Sequence, residues 1–453
     1  MRHTGNGRLD KRLQRRQEVM SEAVLHDPSA SFPDQFPVRK DLDGAYSLFS
    51  NERARPWLML APHVVQTVNR CEEAGQVLII SDGTEFVFSG DREGLGPLTT
   101  GRGFLGHFSI ALREYDRHVL GVMDARLWVR PERKVEGRTH RQVYRSDDKE
   151  SLVWMKNVRA SELALAGRAQ AIHVMDSGAD DYAQFSEFDE LGLNYVVRLR
   201  HNRTLVDDNV DHLFDALEGA PLILERTIEL ASRKNGDAAP KQKRLHPDRS
   251  ARTARLSVCA TSVNVQRPHT SRPEFQETVR FNVVRVREDA PPPDTAPVEW
   301  LISTNLPVAT REDLARVLDA YRARWVIEEY FKALKSGCSV EARQLESAHA
   351  LMNMTAFFAP VAARLLELRD AARHHPNQAA AGILDATELF VLTAMAIVAL
   401  PKAPTLRQAY LAIAKLGGHL KSNGDPGWMV LSRGYDKLRT AVQYQRALDD
   451  RNK

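Results

Sequence analysis

The sequence YRARWVIEEYFKALK places one acid among several cations. Tyr321, Arg324 and Glu328 are spaced by 3 and 4 residues. Lys332 and Lys335 follow Glu328 by 4 and 7 residues. At about 3.6 residues per turn, these intervals put all of these side chains on one face of a helix. A carboxylate beside so many cations suits a site that binds both a metal ion and phosphate groups. The alternative interpretation is a solvated helix face with i,i+4 Glu–Lys pairs.

Two aspartates supply further carboxylates. Asp82 directly follows the apolar run QVLIIS, and Asp176 directly follows AIHVM, so we expect each to stand at or near the end of a β-strand. An isolated aspartate in that position is usually a turn former or a helix cap. Together with Glu328, however, the two make a set of three oxygen ligands, which hard cations such as Mg²⁺ prefer. Two metal ions can activate the attacking oxygen and stabilise the leaving oxygen in phosphoryl transfer.

The segments around these carboxylates predict an α/β fold. Strands are predicted at 76–81, 107–113, 118–129, 171–175 and 194–199, and helices at 150–165 and 182–191. The order of three strands, helix, strand, helix and strand suits a mixed sheet covered by helices. The first 70 residues are predicted to be helical, with a thin apolar stripe of Leu9, Leu13 and Val19 and a second helix through KDLDGAYSLFSN. Pro28 and Pro33 are expected to break this pattern.

A less regular region spans residues 204–299, with strands predicted at 222–231, 254–264 and 278–287. Within it, Ser232–Arg255 carries eight Lys or Arg residues together with Gly and Pro, which predicts an exposed basic loop. The run EDAPPPDTAP at 288–297 predicts a stiff linker. A strand at 299–303 and a long helix from Arg311 then lead to Glu328. The chain after Arg373 is predicted to be helical, with a turn at 416–428.

Composition excludes several classes of protein. The 453 residues suit two or three domains, and 43% hydrophobic with 27% charged residues is typical of a folded globular chain. The cysteines Cys71, Cys259 and Cys338 form no CxxC pair, which argues against a zinc site or disulfide framework and indicates a reducing compartment. No signal peptide is expected. The longest apolar stretch, at 389–400, has 12 residues, whereas a membrane span needs about 20.

The strand–Asp82, strand–Asp176 and Y-x2-R-x3-E-x6-K pattern resembles the bacterial cut-and-paste DDE transposases of the Tn-five/IS-four family. The resemblance covers nearly the whole chain. GRLDKRL resembles the family's N-terminal LGD element, DGAYSLFSN its GAYRF segment, SDGT the block of the first aspartate and VMDSGADDY that of the second. YVVRLRHNR, LGGH and GDPGW also match family segments. Trp300 precedes Tyr321 by 21 residues, as a base-stacking tryptophan does in the family.

The resemblance implies an RNase H-like fold with a β-rich insertion before the catalytic glutamate. It implies that Asp82, Asp176 and Glu328 are catalytic and hold two Mg²⁺ ions, with Mn²⁺ as a substitute. The resemblance implies four kinds of DNA contact. Phosphates near the cut end are contacted by Tyr321, Arg324, Lys332 and Lys335, and DNA around the hairpin intermediate by Arg198, Arg200, His201 and Arg203. Trp300 stacks on a flipped base, and Arg8 and Arg12 belong to the basic N-terminal element. For Trp300, a core or interface indole is the alternative.

We therefore expect an N-terminal helical region that binds DNA ends (1–70), an RNase H-like catalytic domain (71–375, with its insertion at about 204–299) and a C-terminal helical region for dimerisation (376–453). The expected partners are transposon-end DNA, target DNA and a second copy of the chain. The expected location is the bacterial cytoplasm at the nucleoid, without a membrane. GNG stands where the family has LGD, with only MRHTGN before Gly7, so we expect end-specific binding to be the property most affected.

Two alternatives stay open. The first is a nuclease of the same fold without strand transfer, or a host-adopted transposase. The second is a DNA-binding regulator that has lost catalysis, although a pure binder has no need of clustered carboxylates beside phosphates. A divalent-metal cleavage assay separates these possibilities.

Overall fold

The structure is a computed structural model that describes residues 11–26, 31–132, 142, 149–207, 210–230, 248, 250–293, 295, 297–420 and 425–451. The chain folds into two compact units. The first comprises Met1–Glu136, Lys156–Gln170 and Trp325–Lys453, and the second comprises Gly137–Met155 and Ala171–Arg324.

Helices lie at both ends of the chain and strands lie between them. The helices are α1 (Lys11–His26), α2 (Phe32–Gln35), α3 (Arg39–Ser50), α4 (Pro56–Ala74), α5 (Leu152–Leu165), α6 (Tyr182–Leu191), α7 (Arg311–Ala323), α8 (Trp325–Lys332), α9 (Ala348–His374), α10 (Ala386–Met395), α11 (Leu406–Leu416) and α12 (Trp428–Arg451). The strands are β1 (Gln76–Phe88), β2 (Gly96–Pro97), β3 (Arg102–Arg113), β4 (Val119–Trp128), β5 (Gln170–Met175), β6 (Asn194–Arg198), β7 (Thr204–Asp207), β8 (Val210–His212), β9 (Leu222–Leu230), β10 (Arg252–Gln266), β11 (Thr278–Glu288) and β12 (Glu299–Thr304).

The strands of the first unit are antiparallel. β3 lies in the centre and pairs with β1 on one side and β4 on the other. The prediction that β1 ends before Asp82 is wrong, because the pairing with β3 continues to Phe88. Phe86 and Phe88 keep the strand apolar beyond the aspartate, and each packs on Phe104, at 5.2 and 5.3 Å between ring centroids. Asp82 therefore lies within a 13-residue strand rather than at its end.

Helix α9 forms the centre of the helical part of the first unit. It packs against α4, β4, α3 and α11. By length and composition it is apolar enough to cross a membrane, but 78% of its apolar window is buried inside the protein, as expected for a core helix. The helices after it are also part of this core, since α12 packs against α1, α10 and α11.

The strands of the second unit follow the order β5–β6–β12–β11–β10, and β10 also pairs with β7 and β9. β5 and β6 are parallel, while the other pairs are antiparallel. This confirms the prediction of a mixed α/β fold and of strands within 204–299, and the sheet is mostly antiparallel. The RNase H-like assignment stays a prediction.

Several local predictions need correction. The side chain of Val19 is 52% exposed, and α1 instead buries Gln17 and Met20. The helical pattern is interrupted between α1 and α3 as predicted, and Pro33 lies in the first turn of the short α2, where a proline's missing N–H costs nothing. Pro28 lies outside the described residues. In the predicted basic loop, residues 232–247 and 249 lie outside the described part of the chain, but Arg252 and Arg255 belong to β10. The two compact units have other boundaries than the predicted domains, since the helical ends share one unit with β1–β4, and the predicted domain division stays a prediction.

Charged side chains are buried between α9 and its neighbours in the first unit. Glu367 lies 3.3 Å from His118 Nε2 and 2.7 Å from an Arg364 guanidinium nitrogen. The same arginine donates to Tyr435 Oη at 3.1 Å and approaches Glu388. Burial opposes ionisation of Glu367, but the hydrogen bond with His118 and the charge of Arg364 outweigh it and lower the pKa of this carboxyl. The ionised form of Glu367 therefore stabilises the folded state.

We expect Glu367→Gln to lower the free energy of unfolding at pH 7 by about 3 kcal/mol, because it leaves Arg364 buried with one carboxylate fewer. The folded-state pKa of Glu367 lies below its ordinary value of 4.5, so this stabilisation is present above about pH 4.5 and is lost as the pH falls through the folded-state pKa. Urea unfolding at several pH values measures it. Glu52→Gln, at an exposed position, is the control. An equal loss at pH 7 and below pH 4 would contradict the assignment.

Candidate functional site

Asp82 and helix α8 lie on the same face of the first unit's strands. Asp82 stands directly opposite Phe108 on β3, and opposed residues of an antiparallel pair point to the same side. The Phe108 ring lies 5.7 Å from the ring of Tyr330 and 5.9 Å from that of Phe331. Glu328 precedes Phe331 by three residues on α8 and therefore neighbours it on the helix surface. The structure thus brings these two carboxylates to one layer, where both are half-buried.

The segment around Glu328 is not the single straight helix that its spacing predicts. Helix α7 ends at Ala323, α8 ends at Lys332, and a π-helical turn continues over Ala333–Gly337. The helical segment is therefore divided, and the π-helical turn changes the periodicity before Lys335. The common face of its polar side chains stays a prediction. Such turns are frequent at functional sites.

The two lysines after Glu328 have different partners from those that the spacing predicts. Lys332 Nζ lies 2.6 Å from Glu329 Oε1, so its charge is paired with the next acid along. Lys335 donates to the backbone carbonyl of Glu85 on β1, and its Nζ lies 5.2 Å from the centre of the Phe86 ring. Lys335 is thus held against the strand that carries Asp82, and its Nζ also lies 3.5 Å from Glu341 Oε1. Lys332 is exposed and pairs with the half-buried Glu329 on the helix.

Asp176 lies in the second unit, directly after β5, as predicted. Its carboxylate accepts a hydrogen bond from Gly178 N at 2.6 Å and caps a short 3₁₀ turn. Gly178 must lack a side chain, because a Cβ there would come within 2.9 Å of Asp176 Oδ1 and 2.8 Å of the Trp154 ring. The turn therefore fixes the direction of the carboxylate at the strand end.

Three charged side chains of the second unit act on the hydroxyl of Tyr321: those of Arg198, Arg324 and Asp176. Burial raises the pKa of this phenol, the hydrogen-bonded guanidinium of Arg198 and the charge of Arg324 oppose that rise, and Asp176 adds to it. The ring of Trp300 lies 5.6 Å from the Tyr321 ring, edge to face. A phenol, two guanidinium groups, an indole and the carboxylate therefore lie in one neighbourhood, in which Tyr321 is 4% and Arg324 is 7% exposed.

The loop after β6 is held by Asp180. Its Oδ2 accepts from the backbone N–H groups of Arg200 at 2.7 Å and His201 at 2.9 Å, and its other oxygen pairs with Arg203. The side chains of Arg200 and His201 are exposed, as DNA contacts would require. Arg203 is 8% exposed and balances the buried carboxylate of Asp180. Its DNA contact stays a prediction.

Sequence reasoning missed the acids that position this loop. Asp181 accepts from Ala183 N at the start of α6 and forms an ion pair with Lys149. The signal was present in VMDSGADDY, where two adjacent acids directly precede a helix. Only the structure separates the role of Asp180, which holds a loop, from that of Asp181, which caps a helix.

The N-terminal helices form a basic recess in the first unit. Arg12 is exposed on α1 and lines a recess of about 480 Å³ between α1 and α3, with Arg16, Lys40 and Arg53. Arg8 lies outside the described residues. The recess also contains Asp43, but its cations outnumber its acids, so it attracts anions.

The predicted metal ligands divide between the units: Asp82 and Glu328 belong to the first and Asp176 to the second. Within the described ranges, no group of three or more His, Cys, Asp or Glu side chains is close enough to hold a metal ion. The convergence of the three carboxylates stays a prediction. Their chemistry does fit a hard divalent cation, since each offers only oxygen ligands.

Two protein-family models match the chain. The transposase DDE domain matches residues 155–358, and the transposase DNA-binding domain matches residues 9–54. The first range includes Asp176, Trp300, Tyr321 and Glu328, and the second includes the basic recess. The mixed α/β architecture with helical ends fits a DDE nuclease domain. The two matches support a DDE transposase that binds DNA, and its DDE domain implies an enzyme that cleaves or transfers DNA strands.

We expect Asp180→Ala to loosen the loop from Arg200 to Arg203, because two amides lose their acceptor and a buried guanidinium loses its partner. Hydrogen exchange at the amides of Arg200 and His201 should accelerate by at least about tenfold, given roughly 1.4 kcal/mol or more of lost local stability. Asp189→Ala, an exposed acid in α6, should leave these amides unchanged. Unaltered exchange in Asp180→Ala would mean that other contacts hold the loop.

Proposed function

We propose that this chain is a transposase of the Tn-five/IS-four type that binds transposon ends, cleaves them through a hairpin intermediate and joins them to target DNA. The observation that carries the proposal is the common face of Asp82 and α8, which brings a strand carboxylate and Glu328 into one layer inside a chain that matches a transposase DDE domain. We infer that Asp176 completes the set.

The proposed cofactor is a pair of Mg²⁺ ions, with Mn²⁺ as a substitute, held by Asp82, Asp176 and Glu328. When bound, such ions activate the attacking oxygen and stabilise the leaving oxygen of a phosphodiester. The protein's part is to hold the three carboxylates in position. The hydrogen bond that Gly178 N donates to Asp176 Oδ1 orients this carboxylate.

The side chains around Tyr321 are proposed to hold the reacting DNA end. Arg198 and Arg324 supply positive charge for a phosphate, and the phenol, kept protonated by its raised pKa, can donate a hydrogen bond to it. Trp300 is proposed to stack on a flipped base, which is favourable for any base because each has an aromatic face. Arg200 and His201 extend this surface along the exposed loop.

Lys335 is proposed to act beside Asp82. Because it is fixed to β1 through the Glu85 carbonyl, its charge remains near the strand that carries this aspartate. Lys332 is paired with Glu329 and would have to leave that acid to reach DNA. The basic recess between α1 and α3 is proposed to bind the transposon end, and the bacterial cytoplasm is the proposed location.

The decisive test replaces each carboxylate in turn, as Asp82→Ala, Asp176→Ala and Glu328→Ala. Each variant should lose metal-dependent strand cleavage by roughly 100-fold or more, since a lost metal ligand forfeits several kcal/mol of transition-state stabilisation. Binding to DNA should change little. Cleavage and binding are measured on duplexes that carry the sequence flanking the gene, with Mg²⁺ or Mn²⁺.

Asp189→Ala is the matched control, because it removes an exposed acid of the second unit. Full cleavage by any of the three carboxylate variants would overturn the proposed site. Cleavage without end joining by the unaltered protein would indicate a nuclease. DNA binding without any cleavage would indicate a regulator.

We also propose that two copies of the chain act together, since a transposon has two ends. The region after 376 offers a surface for this contact: Phe390, Ile397 and Val398 are 63, 69 and 52% exposed at and after α10. Neighbouring exposed apolar side chains of this size favour a protein contact. Deleting the region would be a poor test, because α11 and α12 pack into the core of the first unit.

Phe390→Ser, Ile397→Ser and Val398→Ser, combined in one variant, should weaken pairing on end-containing DNA and leave the unliganded protein folded. We expect the two-protomer complex to dissociate at a concentration at least about tenfold higher, because three apolar contacts of roughly 1 kcal/mol or more are lost. Mass photometry of the DNA complexes measures this. Leu163→Ser, at an 82% exposed position, is the control. An unchanged complex would place the pairing surface elsewhere.

A further inference from the structure

Strand β11 carries two arginines, Arg285 and Arg287, that form no ion pair among the described residues. Arg285 and Arg287 are two residues apart and therefore point to the same side of the sheet. Among the described residues, neither guanidinium has a hydrogen-bond or ion-pair partner. Their side of the sheet is open to solvent at this end of the strand, since Arg287 is exposed and Arg285 half-buried.

The neighbouring arginines are paired. Arg252 makes two hydrogen bonds to Glu288, at 2.9 and 2.8 Å, and Arg255 lies 2.7 Å from Glu225. Asp289 lies 3.9 Å from Arg255. Glu288, Glu225 and Asp289 therefore each lie beside another arginine. Glu299 stands opposite Arg287 on β12 but makes no ion pair with it within 4.0 Å.

Arg285 and Arg287 line an open recess of about 390 Å³, together with the acids Glu288 and Asp289, which lie beside Arg252 and Arg255. Ser257 and Cys259 stand opposite Arg287 and Arg285 on β10 and belong to its lining. Pro291 and Pro297, from the segment predicted as a stiff linker, also line it. Prolines restrict the backbone, so this wall has few conformations to lose when a ligand binds.

This recess lies on the opposite side of the sheet from the proposed end-binding residues. Trp300 stands opposite Val286, so it shares the side of Val286 and packs there against Tyr321. Arg285 and Arg287 flank Val286 and point the other way. A ligand on these arginines is therefore separated by the sheet from one bound at Trp300.

We propose that Arg285 and Arg287 bind the phosphate backbone of a DNA duplex on this second side of the sheet. Residues two apart on a strand are about 7 Å apart, which allows each guanidinium to take a separate phosphate of one DNA strand. Arginine suits this task, because its planar fork binds phosphate oxygens bidentately and it stays charged at any working pH. Such a contact positions DNA without reading its sequence.

The inference rests on the proposed function, since it needs a chain that binds DNA. The following test distinguishes a failure of this inference from a failure of the proposed function. The test measures binding of the full chain to a random-sequence duplex of about 30 base pairs over a range of salt concentrations. The unaltered protein is compared with Arg285→Ala/Arg287→Ala. The slope of log affinity against log salt should be less steep by about 1.8, at about 0.9 for each lost phosphate contact.

Two further variants make the test specific. Arg285→Lys/Arg287→Lys keeps the charges and should keep most of the slope. Arg311→Ala/Arg433→Ala removes two exposed arginines that have no partner among the described residues, so it lowers the net charge equally and should change the slope little. An unchanged slope in Arg285→Ala/Arg287→Ala, or an equal loss in the control, would overturn the proposal. Failure of the unaltered protein to bind or cleave DNA would contradict the proposed function instead.

Discussion

The packing of Phe108 against Tyr330 and Phe331 is the contact on which the arrangement of the first unit's carboxylates depends. Phe108 is fully buried and stands opposite Asp82 on the neighbouring strand. Its ring contacts therefore set the side of the sheet on which α8 lies and hence the layer that Glu328 enters. A polar site is in this way positioned by apolar packing, because aromatic rings bury large areas and tolerate few alternative arrangements.

Acids of the folded chain determine which cations are left for a ligand. Asp180 pairs with Arg203, Glu367 with Arg364 and Glu329 with Lys332. For Asp180 and Glu367, the charge of the arginine compensates an acid that would be costly to bury alone. Among the described residues, the guanidinium groups of Arg285 and Arg287 pair with no acid. Charge available for DNA is thus much smaller than the count of basic residues in the chain.

The sheet of the second unit separates two kinds of polar surface. On one side Trp300 packs against Tyr321 of α7, a helix that begins at a Thr310–Asp313 capping box. On the other side the arginines of β11 face an open recess. Because neighbouring residues of a strand alternate between sides, one short segment of β11 and β12 can serve both surfaces without either disturbing the other.

Spacing and local pattern in the sequence determined most helices and strands, the mixed α/β class and the candidate carboxylates, because periodicity and caps act within a few residues. They did not determine that β1 runs on past Asp82 or that a π-helical turn follows Lys332, since pairing with β3 and packing decide both. Arg203 and Arg287 look alike in the sequence as basic residues near strands. Only the tertiary structure made Arg203 a buried partner of Asp180 and left Arg287 without a partner among the described residues, because the partner of a charge is brought to it by contacts distant in the chain.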